Sequence, residues 1–332
     1  MQRRRPRGRV RVAAVAALVA LVATACFTPF DLDGDRRADV AWVTVTGVWP
    51  DQLMTFSIEG GPEPIWQFDG PFRVAVAGDW NGDGRWEPGA VTASGVEFPG
   101  GTIDFAPVRP PGSTDDPLCR YVWNAMPVPG NWVAGRQTEM GWFFPGTGTW
   151  QIQGRETVTF GRPVPPHADC PAVDAFDVPV PADYDGDGIT DIAIYEVDTG
   201  DWRVLGQTEP IANVGVGIGV PAPADYDGDG DDDPALAKSR SDVLHILGSG
   251  SVALPLSGVP APADYDGDGD DDPAVFAGQG DGPGSSWVQG RGTTAVPAGA
   301  ASVVGRPWIE PYVVPLTYAE NCLESDPPST CS

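Results

Sequence analysis

Short apolar segments alternate with clusters of Asp and Gly along most of the chain. Apolar stretches rich in Val, Pro and Ala lead into these clusters, as in residues 178–182 and 259–263. Short runs of β-branched and aromatic residues follow them, at 40–43, 192–195 and 274–277. Such runs, bounded by turn residues, are typical of β-strands, and Pro in the approach segment suits the end of a strand. The pattern predicts antiparallel strands joined by acidic turns.

A second marker recurs in phase with the acidic clusters. Thr-Gly-x-Trp occurs three times, ending at Trp49, Trp150 and Trp202. Each copy begins 15 or 16 residues after the start of the preceding acidic cluster. We interpret the Thr-Gly pair as a turn into a strand headed by Trp, and we expect the three Trp to occupy equivalent positions in the core.

The acidic cluster is a nine-residue repeat with oxygen-bearing side chains at positions 1, 3, 5 and 9. Five copies keep this pattern and start at Asp31, Asp79, Asp183, Asp225 and Asp264. Two degenerate copies start at Asn131 and Ser302; they lack the carboxylates at positions 3 and 5 but keep an acid at position 9. The starts lie 38 to 52 residues apart.

Units of this length, each with a few short strands, are the signature of a β-propeller, because one unit cannot bury its own face. The predicted fold class is therefore all-β, a β-propeller of six or seven blades. Seven hairpins but six full intervals leave two possibilities open. Either the chain ends combine to complete a seventh blade, or the last hairpin is an addition to six. We expect a single propeller domain over residues 27–317, followed by a polar tail at 318–332.

The repeated loop has the donor set of a hard cation. Alternate carboxylates point to one centre, and Gly at position 4 permits the left-handed backbone that a tight wrap requires. We predict three to five bound Ca²⁺ ions, and expect the loops at Asn131 and Ser302 to be empty. The predicted ligands are Asp31, Asp33, Asp35 and Asp39; Asp79, Asn81, Asp83 and Glu87; Asp183, Asp185, Asp187 and Asp191; Asp225, Asp227, Asp229 and Asp233; and Asp264, Asp266, Asp268 and Asp272.

The alternatives to a calcium loop are an EF-hand and a solvated acidic turn. An EF-hand would carry an acid at position 12, where Ile194 and Leu236 stand, and it would have flanking helices. A solvated acidic turn without metal would bring several like charges together with nothing to neutralise them. Calcium therefore fits the loops better than either alternative.

The strings DYDGDGITDIAIY, DYDGDGDDDPALA and DYDGDGDDDPAVF resemble the FG-GAP/VCBS repeats of bacterial surface proteins, which are related to the propeller of the integrin α-subunit. The resemblance covers nearly all of the chain after residue 25. It implies calcium held in hairpin loops between the first two strands of a blade, with a structural role for the metal. The loops at Asn131 and Ser302 depart from the family pattern.

The amino terminus has the features of a secretory signal. A basic segment precedes an apolar stretch at residues 13–25, which ends in Ala23-Thr24-Ala25. This stretch is too short to span a bilayer and suits the apolar region of a signal peptide, which we place at residues 1–25. Cys26 follows directly, as in a loose lipobox, so export as a lipid-anchored or as a free protein stays open. No other segment is apolar and long enough to cross a membrane.

The remaining cysteines suggest two disulfides. Cys119 and Cys170 lie 12 and 13 residues before the next loop start, at matching places in neighbouring units. We predict that they pair and join adjacent blades, and that Cys322 and Cys331 close the tail. An exported protein permits such bonds.

Charge and motif content restrict the function. With 46 acidic against 20 basic residues and a net charge of −26, the chain is very unlike a nucleic-acid-binding protein. It contains no Gly-x-Ser-x-Gly or His-Glu-x-x-His motif. The leading hypothesis is a non-enzymatic exported binding or scaffold protein, expected to be monomeric, with an unidentified protein or glycan partner. A propeller lyase or glycosidase is the weakest alternative.

A carbohydrate-binding propeller is the second hypothesis. Exposed Trp would stack on sugar rings, and the Trp outside the repeat register are Trp66, Trp86, Trp123 and Trp142. For each of them, packing between blades is the favoured interpretation.

Overall fold

The computed structural model describes residues 29–302, except for residues 49, 62–63, 73, 112–124, 136, 164–176, 216–218, 239–241, 278–283 and 299. The regular secondary structure of this part is entirely β, in six antiparallel sheets of four strands each. No helix among the described residues is long and apolar enough to span a membrane. The predicted signal segment, all five cysteines, the tail, Trp49 and Trp123 lie outside the described residues, so the predictions for them stay predictions.

The strands are numbered in chain order and the sheets are called blades 1 to 6. Blade 1 contains β1 (Ala41–Val48), β2 (Asp51–Ile58) and β3 (Trp66–Asp69), and blade 2 contains β4 (Val74–Gly78), β5 (Glu87–Val91), β6 (Gly95–Phe98) and β7 (Gly101–Asp104). Blade 3 contains β8 (Met126–Pro127), β9 (Gly141–Phe144), β10 (Thr149–Ile152) and β11 (Val158–Thr159).

Blade 4 contains β12 (Asp177–Pro179), β13 (Ala193–Glu196), β14 (Asp201–Val204) and β15 (Ala212–Asn213), and blade 5 contains β16 (Gly219–Pro221), β17 (Ala235–Lys238), β18 (Val243–Ile246) and β19 (Gly250–Ala253). Blade 6 contains β20 (Val259–Pro260), β21 (Ala274–Ala277), β22 (Gly284–Val288) and β23 (Gly292–Val296). The last strand, β24 (Ala301–Ser302), joins blade 1.

The six sheets form a six-bladed β-propeller, which confirms the predicted fold class and decides the number of blades. Within each of blades 2 to 6 the strands pair in chain order. The prolines of the approach segments, such as Pro179, stand in the short first strands, where few ladder hydrogen bonds are lost.

Blade 1 is completed by the end of the described chain. Strand β24 pairs antiparallel with β1, with Ser302 opposite Trp42 and Ala301 opposite Val43. In blade 4 the corresponding pair is Pro179 opposite Ile194. Ser302 therefore occupies a first-strand position in blade 1, and its prediction as the start of a seventh loop was wrong. Gly305 and Glu310 follow Ser302 at the spacing of the loop motif, and for this reason the sequence predicted a loop where the strand lies. The residues after Ser302 lie outside the described residues.

Trp49, which was predicted to be equivalent to Trp150 and Trp202, lies outside the described residues. Trp150 pairs with Phe143 and Trp202 with Tyr195 at one register position of the hairpin. In blade 1 that position belongs to Phe56, which pairs with Val43. The β1–β2 hairpin is longer, since Val48 still pairs with Asp51, and this displaces the Thr-Gly marker from the turn into the strand.

The core is made of side chains from the faces of adjacent blades. Phe56, Trp150 and Trp202 are completely buried, as are Trp80 and Trp132 beside the acidic loops. Burying large aromatic surfaces is the main stabilising contribution available to sheets this short. The aromatic residues that punctuate the sequence repeat therefore hold the blades together.

Candidate metal centre

Six nine-residue loops, one per blade, form the candidate site. They are loop 1 (31–39), loop 2 (79–87), loop 3 (131–139), loop 4 (183–191), loop 5 (225–233) and loop 6 (264–272), and their residues are numbered as positions 1 to 9. Loops 2 to 6 each join the first strand of a blade to the second, and loop 1 leads into β1. Because these connections are equivalent around the ring, all six loops lie on the same face of the propeller.

Each loop is closed at its base by backbone pairing between position 9 and the residue before position 1. Ala182 pairs with Asp191, Ala224 with Asp233 and Ala263 with Asp272. The Pro-Ala that ends the approach segments thus forms the stem of the loop.

In loops 2 to 6 an aromatic residue at position 2 anchors the loop in the core, whereas loop 1 has Leu32 at this position. The hydroxyl groups of Tyr184, Tyr226 and Tyr265 donate to the backbone carbonyl four residues earlier, at 2.6, 2.8 and 2.8 Å. Trp132 makes the same contact through Nε1 at 3.0 Å. A buried aromatic ring with a satisfied polar atom gives the loop a fixed base. The Asp-Tyr pair of the sequence motif is therefore a structural anchor beside a candidate ligand.

The position-1 carboxylate organises the turn. In loop 5, Asp225 accepts hydrogen bonds from the backbone N–H groups of Gly228 (2.8 Å), Asp229 (3.1 Å) and Gly230 (3.0 Å). Asp31 accepts the same set in loop 1, and Asp79 does so in loop 2. Gly228 has φ of 73°, a conformation that favours glycine.

The other candidate ligands also accept local N–H groups. Asp33 accepts from Asp35 at 3.0 Å, and Asp35 accepts from Arg37 at 2.9 Å. The position-9 acid accepts from the N–H of position 2, as between Asp39 and Leu32 at 2.8 Å. These contacts turn carboxylates at alternate positions toward the inside of the loop.

Three acidic residues in each of five loops bring carboxylate oxygens within 4.8 Å of one another. The five groups are Asp31, Asp33 and Asp39; Asp79, Asp83 and Glu87; Asp183, Asp185 and Asp191; Asp225, Asp227 and Asp229; and Asp264, Asp266 and Asp272. They belong to the five loops in which metal was predicted. The remaining predicted ligands, Asp35, Asn81, Asp187, Asp233 and Asp268, lie in the same loops outside these groups of three.

Electrostatics of the loops favour a bound cation. Burial, together with the charge of neighbouring loop carboxylates, raises the pKa of Asp39, Asp233 and Asp272 to about 6 and that of Glu87 to about 7. A carboxylate that is costly to ionise beside like charges is stabilised by a cation between them. An all-oxygen donor set of this kind fits Ca²⁺ and offers no nitrogen or sulfur to a softer metal.

Loop 3 keeps the framework with a different set of side chains. Gly130 pairs with Glu139, and Glu139 accepts from the N–H groups of Trp132 (2.7 Å) and Val133 (3.1 Å), as the other position-9 acids do at position 2. The Asn131 amide donates to the carbonyls of Gly188 in loop 4 and Gly135 in its own loop. Glu139 is the one carboxylate that loop 3 offers.

Adjacent loops are joined by backbone hydrogen bonds that the sequence motif did not reveal. The position-8 N–H of each loop donates to the position-1 carbonyl of the preceding loop. The six pairs are Trp86 to Asp31 (3.4 Å), Thr138 to Asp79 (2.7 Å), Thr190 to Asn131 (2.8 Å), Asp232 to Asp183 (2.6 Å), Asp271 to Asp225 (2.6 Å) and Ala38 to Asp264 (2.7 Å). The last pair closes the circle between blades 6 and 1.

Several position-8 side chains also accept a hydrogen bond from the preceding loop. Thr138 Oγ1, Thr190 Oγ1 and Asp232 Oδ2 each accept the position-1 N–H of the preceding loop, all at 2.9 Å. The recurrence of Thr or Asp at position 8 is the sequence feature from which these contacts between loops could have been predicted. Each of these paired loops therefore depends on its neighbour for backbone hydrogen bonds.

In the five loops with glycine at position 4, this glycine is approached by the position-7 residue of the following loop. A Cβ placed on Gly34 would lie 3.2 Å from Arg85 Cζ, and one on Gly267 would lie 3.2 Å from Arg37 Cγ. The corresponding neighbours are Asp270 Cβ for Gly228 at 3.4 Å, Asp231 Cβ for Gly186 at 3.7 Å and Gln137 Cβ for Gly82 at 3.5 Å. Position 4 thus faces a side chain supplied by the next blade.

The Trp residues considered for sugar binding occupy different environments. Trp142 is completely buried and donates through Nε1 to the Phe105 carbonyl, so it offers no surface for stacking. Trp66 and Trp86 are half-buried. Trp66 packs against Phe56 with ring centroids 5.4 Å apart, and Trp86 packs against Phe30 at 4.4 Å. Packing explains these three residues.

No protein-family model and no curated protein matches the chain. Among solved structures, it is similar to a crystal structure of BBS1N in complex with ARL6DN, soaked with lead. The sequence identity is 9%, the TM-score is 0.43, and the match covers 77% of this chain and 81% of that one. No functional conclusion follows from a similarity at this level.

Proposed function

We propose that the chain is an exported, non-enzymatic binding or scaffold protein whose propeller is stabilised by calcium, of the FG-GAP/VCBS repeat type. The observation that carries the proposal is the presence of five groups of converging carboxylates in equivalent loops on one face. A catalytic site rarely recurs five times around a ring, whereas a structural ion does so wherever a repeat unit needs it.

Calcium would be held by the carboxylates of loops 1, 2, 4, 5 and 6. When bound, it would supply positive charge that neutralises the carboxylates and links the two strands that each loop joins. The residues themselves already provide the wrapped backbone, the aromatic anchor and the link to the next blade. The ion's role in this proposal is therefore stability, and the binding surface for a partner is the rigid ring.

Export is proposed from the amino-terminal segment, and in a lipid-anchored form Cys26 would be the attachment point. Outside cells calcium is abundant, and extracellular calcium modules bind with Kd of about 10⁻⁴–10⁻³ M. Loops of that affinity would be filled after export. In this proposal, calcium binding therefore depends on export, because export exposes the loops to enough calcium to fill them.

The test is calcium stoichiometry and thermal unfolding of the chain lacking residues 1–25. We expect three to five ions per chain by equilibrium dialysis, and a melting temperature that rises with calcium concentration and falls with chelator. Magnesium at the same concentration serves as the control, since its small octahedral shell suits these loops less well. A chain that binds no calcium, or whose melting temperature ignores it, would overturn the proposal.

A further inference from the structure

Loops 5 and 6 have identical sequences but different neighbours. Residues 221–235 and 260–274 both read PAPADYDGDGDDDPA, so the nine loop positions and their flanks are the same. In both loops the position-1 aspartate accepts the N–H of the position-4 glycine, Gly228 to Asp225 at 2.8 Å and Gly267 to Asp264 at 2.6 Å. Any difference in how they bind a cation must therefore come from outside the loop.

The outside difference is the side chain that the next blade places over position 4. Loop 5 is followed by loop 6, whose Asp270 approaches Gly228 with its Cβ 3.4 Å from the place of a glycine Cβ. Loop 6 is followed around the ring by loop 1, whose Arg37 covers Gly267, with Cγ at 3.2 Å and Nε at 3.3 Å from the same place. A guanidinium thus lies against the turn between Asp266 and Asp268, where loop 5 has a carboxylate-bearing residue.

The same arrangement is repeated at loop 1. Arg85 of loop 2 lies over Gly34 with its guanidinium carbon 3.2 Å from the place of a Cβ, between Asp33 and Asp35. Loop 4 has Asp231 of loop 5 in this position. The acidic loops therefore have two kinds of neighbour. Loops 1 and 6 lie next to an arginine, whereas loops 4 and 5 lie next to an aspartate.

We propose that the position-7 residue of the following blade sets the calcium affinity of each loop, so that loops 4 and 5 fill at lower calcium than loops 1 and 6. This inference rests on the proposed calcium function. A positive charge within a few ångströms of a divalent ion's ligands opposes binding, and a negative charge there favours it. At the effective dielectric constant of a protein surface, one such charge changes the affinity by about tenfold. The motif residues alone would assign loops 5 and 6 the same affinity.

The experiment compares calcium titrations of two silenced variants of the chain lacking residues 1–25. Asp225→Asn with Asp227→Asn silences loop 5, and Asp264→Asn with Asp266→Asn silences loop 6. By isothermal titration calorimetry, we expect the first variant to lose one of the tight sites and the second to lose one of the weak ones. Loss of equivalent sites from both variants would overturn the inference.

The role of Arg37 is tested in the chain with loop 5 silenced. Arg37→Gln should tighten one of the two weak sites by about tenfold, whereas Arg37→Lys, which keeps the charge, should leave both unchanged. Arg155→Gln removes the same charge beside loop 3 and serves as the matched control. Equal effects of Gln and Lys would show that charge is not the cause and would overturn the inference.

A second variant keeps the test independent of Arg37. Asp270→Arg places over loop 5 the kind of side chain that loop 6 already has, and it should weaken one tight site by about tenfold; an unchanged titration would count against the inference.

If the unmodified chain binds no calcium, the proposed function fails. If it binds several ions with equal affinity, the proposed function stands and only the ordering by neighbours fails.

Discussion

Loops 3 and 4 occupy equivalent places in adjacent blades, yet only loop 4 has the carboxylates of a cation site. Both close through a bridge at position 9, Gly130 with Glu139 and Ala182 with Asp191. Both have an aromatic residue at position 2 bonded to the carbonyl four residues earlier. At positions 3 and 5, however, loop 3 has Val133 and Gly135 where loop 4 has aspartates. The comparison shows that the shape of the loop depends on positions 2, 8 and 9, and that the cation ligands are an addition to it.

The largest effect that separates the two loops is expected from removal of the position-9 acid. Glu139→Ala leaves the N–H groups of Trp132 and Val133 without their acceptor, and should cost about 2–3 kcal/mol with or without calcium. Asp191→Ala should cost a comparable amount in chelator and about 2.7 kcal/mol more at calcium a hundredfold above the Kd. Urea unfolding of both variants in both conditions measures this. A calcium-dependent loss in Glu139→Ala would contradict the separation of frame and ligands.

Grafting the missing ligands onto loop 3 should give it the cation binding that is expected of loop 4. The combined change Asn131→Asp, Val133→Asp, Ala134→Gly and Gly135→Asp restores the motif on the existing frame. We expect one additional calcium per chain and a gain of about 2.7 kcal/mol at a hundredfold excess over the Kd. The stoichiometry is measured by equilibrium dialysis. Val133→Asp alone is the control and should add no ion; failure of the full graft would show that loop 3 has lost more than its ligands.

The smallest effect concerns the contact that joins the two loops. Thr190→Val removes the hydroxyl that accepts the Asn131 N–H at 2.9 Å, and should cost about 1 kcal/mol. Thr138→Val, which removes the same contact between loops 2 and 3, is the matched comparison. Thermal unfolding in chelator should give similar losses for both. A loss of stability that is seen in calcium but not in chelator would mean that the contact acts through the ion.

The sequence predicted the repeated parts of the molecule well. The strand at residues 274–277 and the five acidic loops lie where the pattern placed them, because each depends on residues close together in the chain. The contacts between blades were not predictable in this way. Trp42 pairs with Ser302, and Asp264 accepts from Ala38, across almost the whole length of the chain. The spacing of local motifs contains no information about such partners.

The length of the β1–β2 hairpin was unpredictable for a similar reason. The Thr-Gly marker keeps a constant distance from the loop start, but the β1–β2 hairpin is longer than β9–β10. Register in a hairpin is determined by the turn, and in blade 1 it places Phe56 at the buried position that Trp150 and Trp202 hold in blades 3 and 4. Only the pairing of the two strands reveals this.

The short strand β24 has a mechanical consequence. The beginning of the described chain, where the Phe30 carbonyl accepts the Asp39 N–H at 3.0 Å, and its end at Ser302 both belong to blade 1. A pulling force applied to the two ends would act first on the two residue pairs of β24 and β1, and the other five sheets would carry no load until these had separated. The ring opens into a linear array of intact blades once the Ala38–Asp264 hydrogen bond and the contacts of Glu59 with Arg291 and Thr294 also separate, so extension should start at this seam before any blade unfolds.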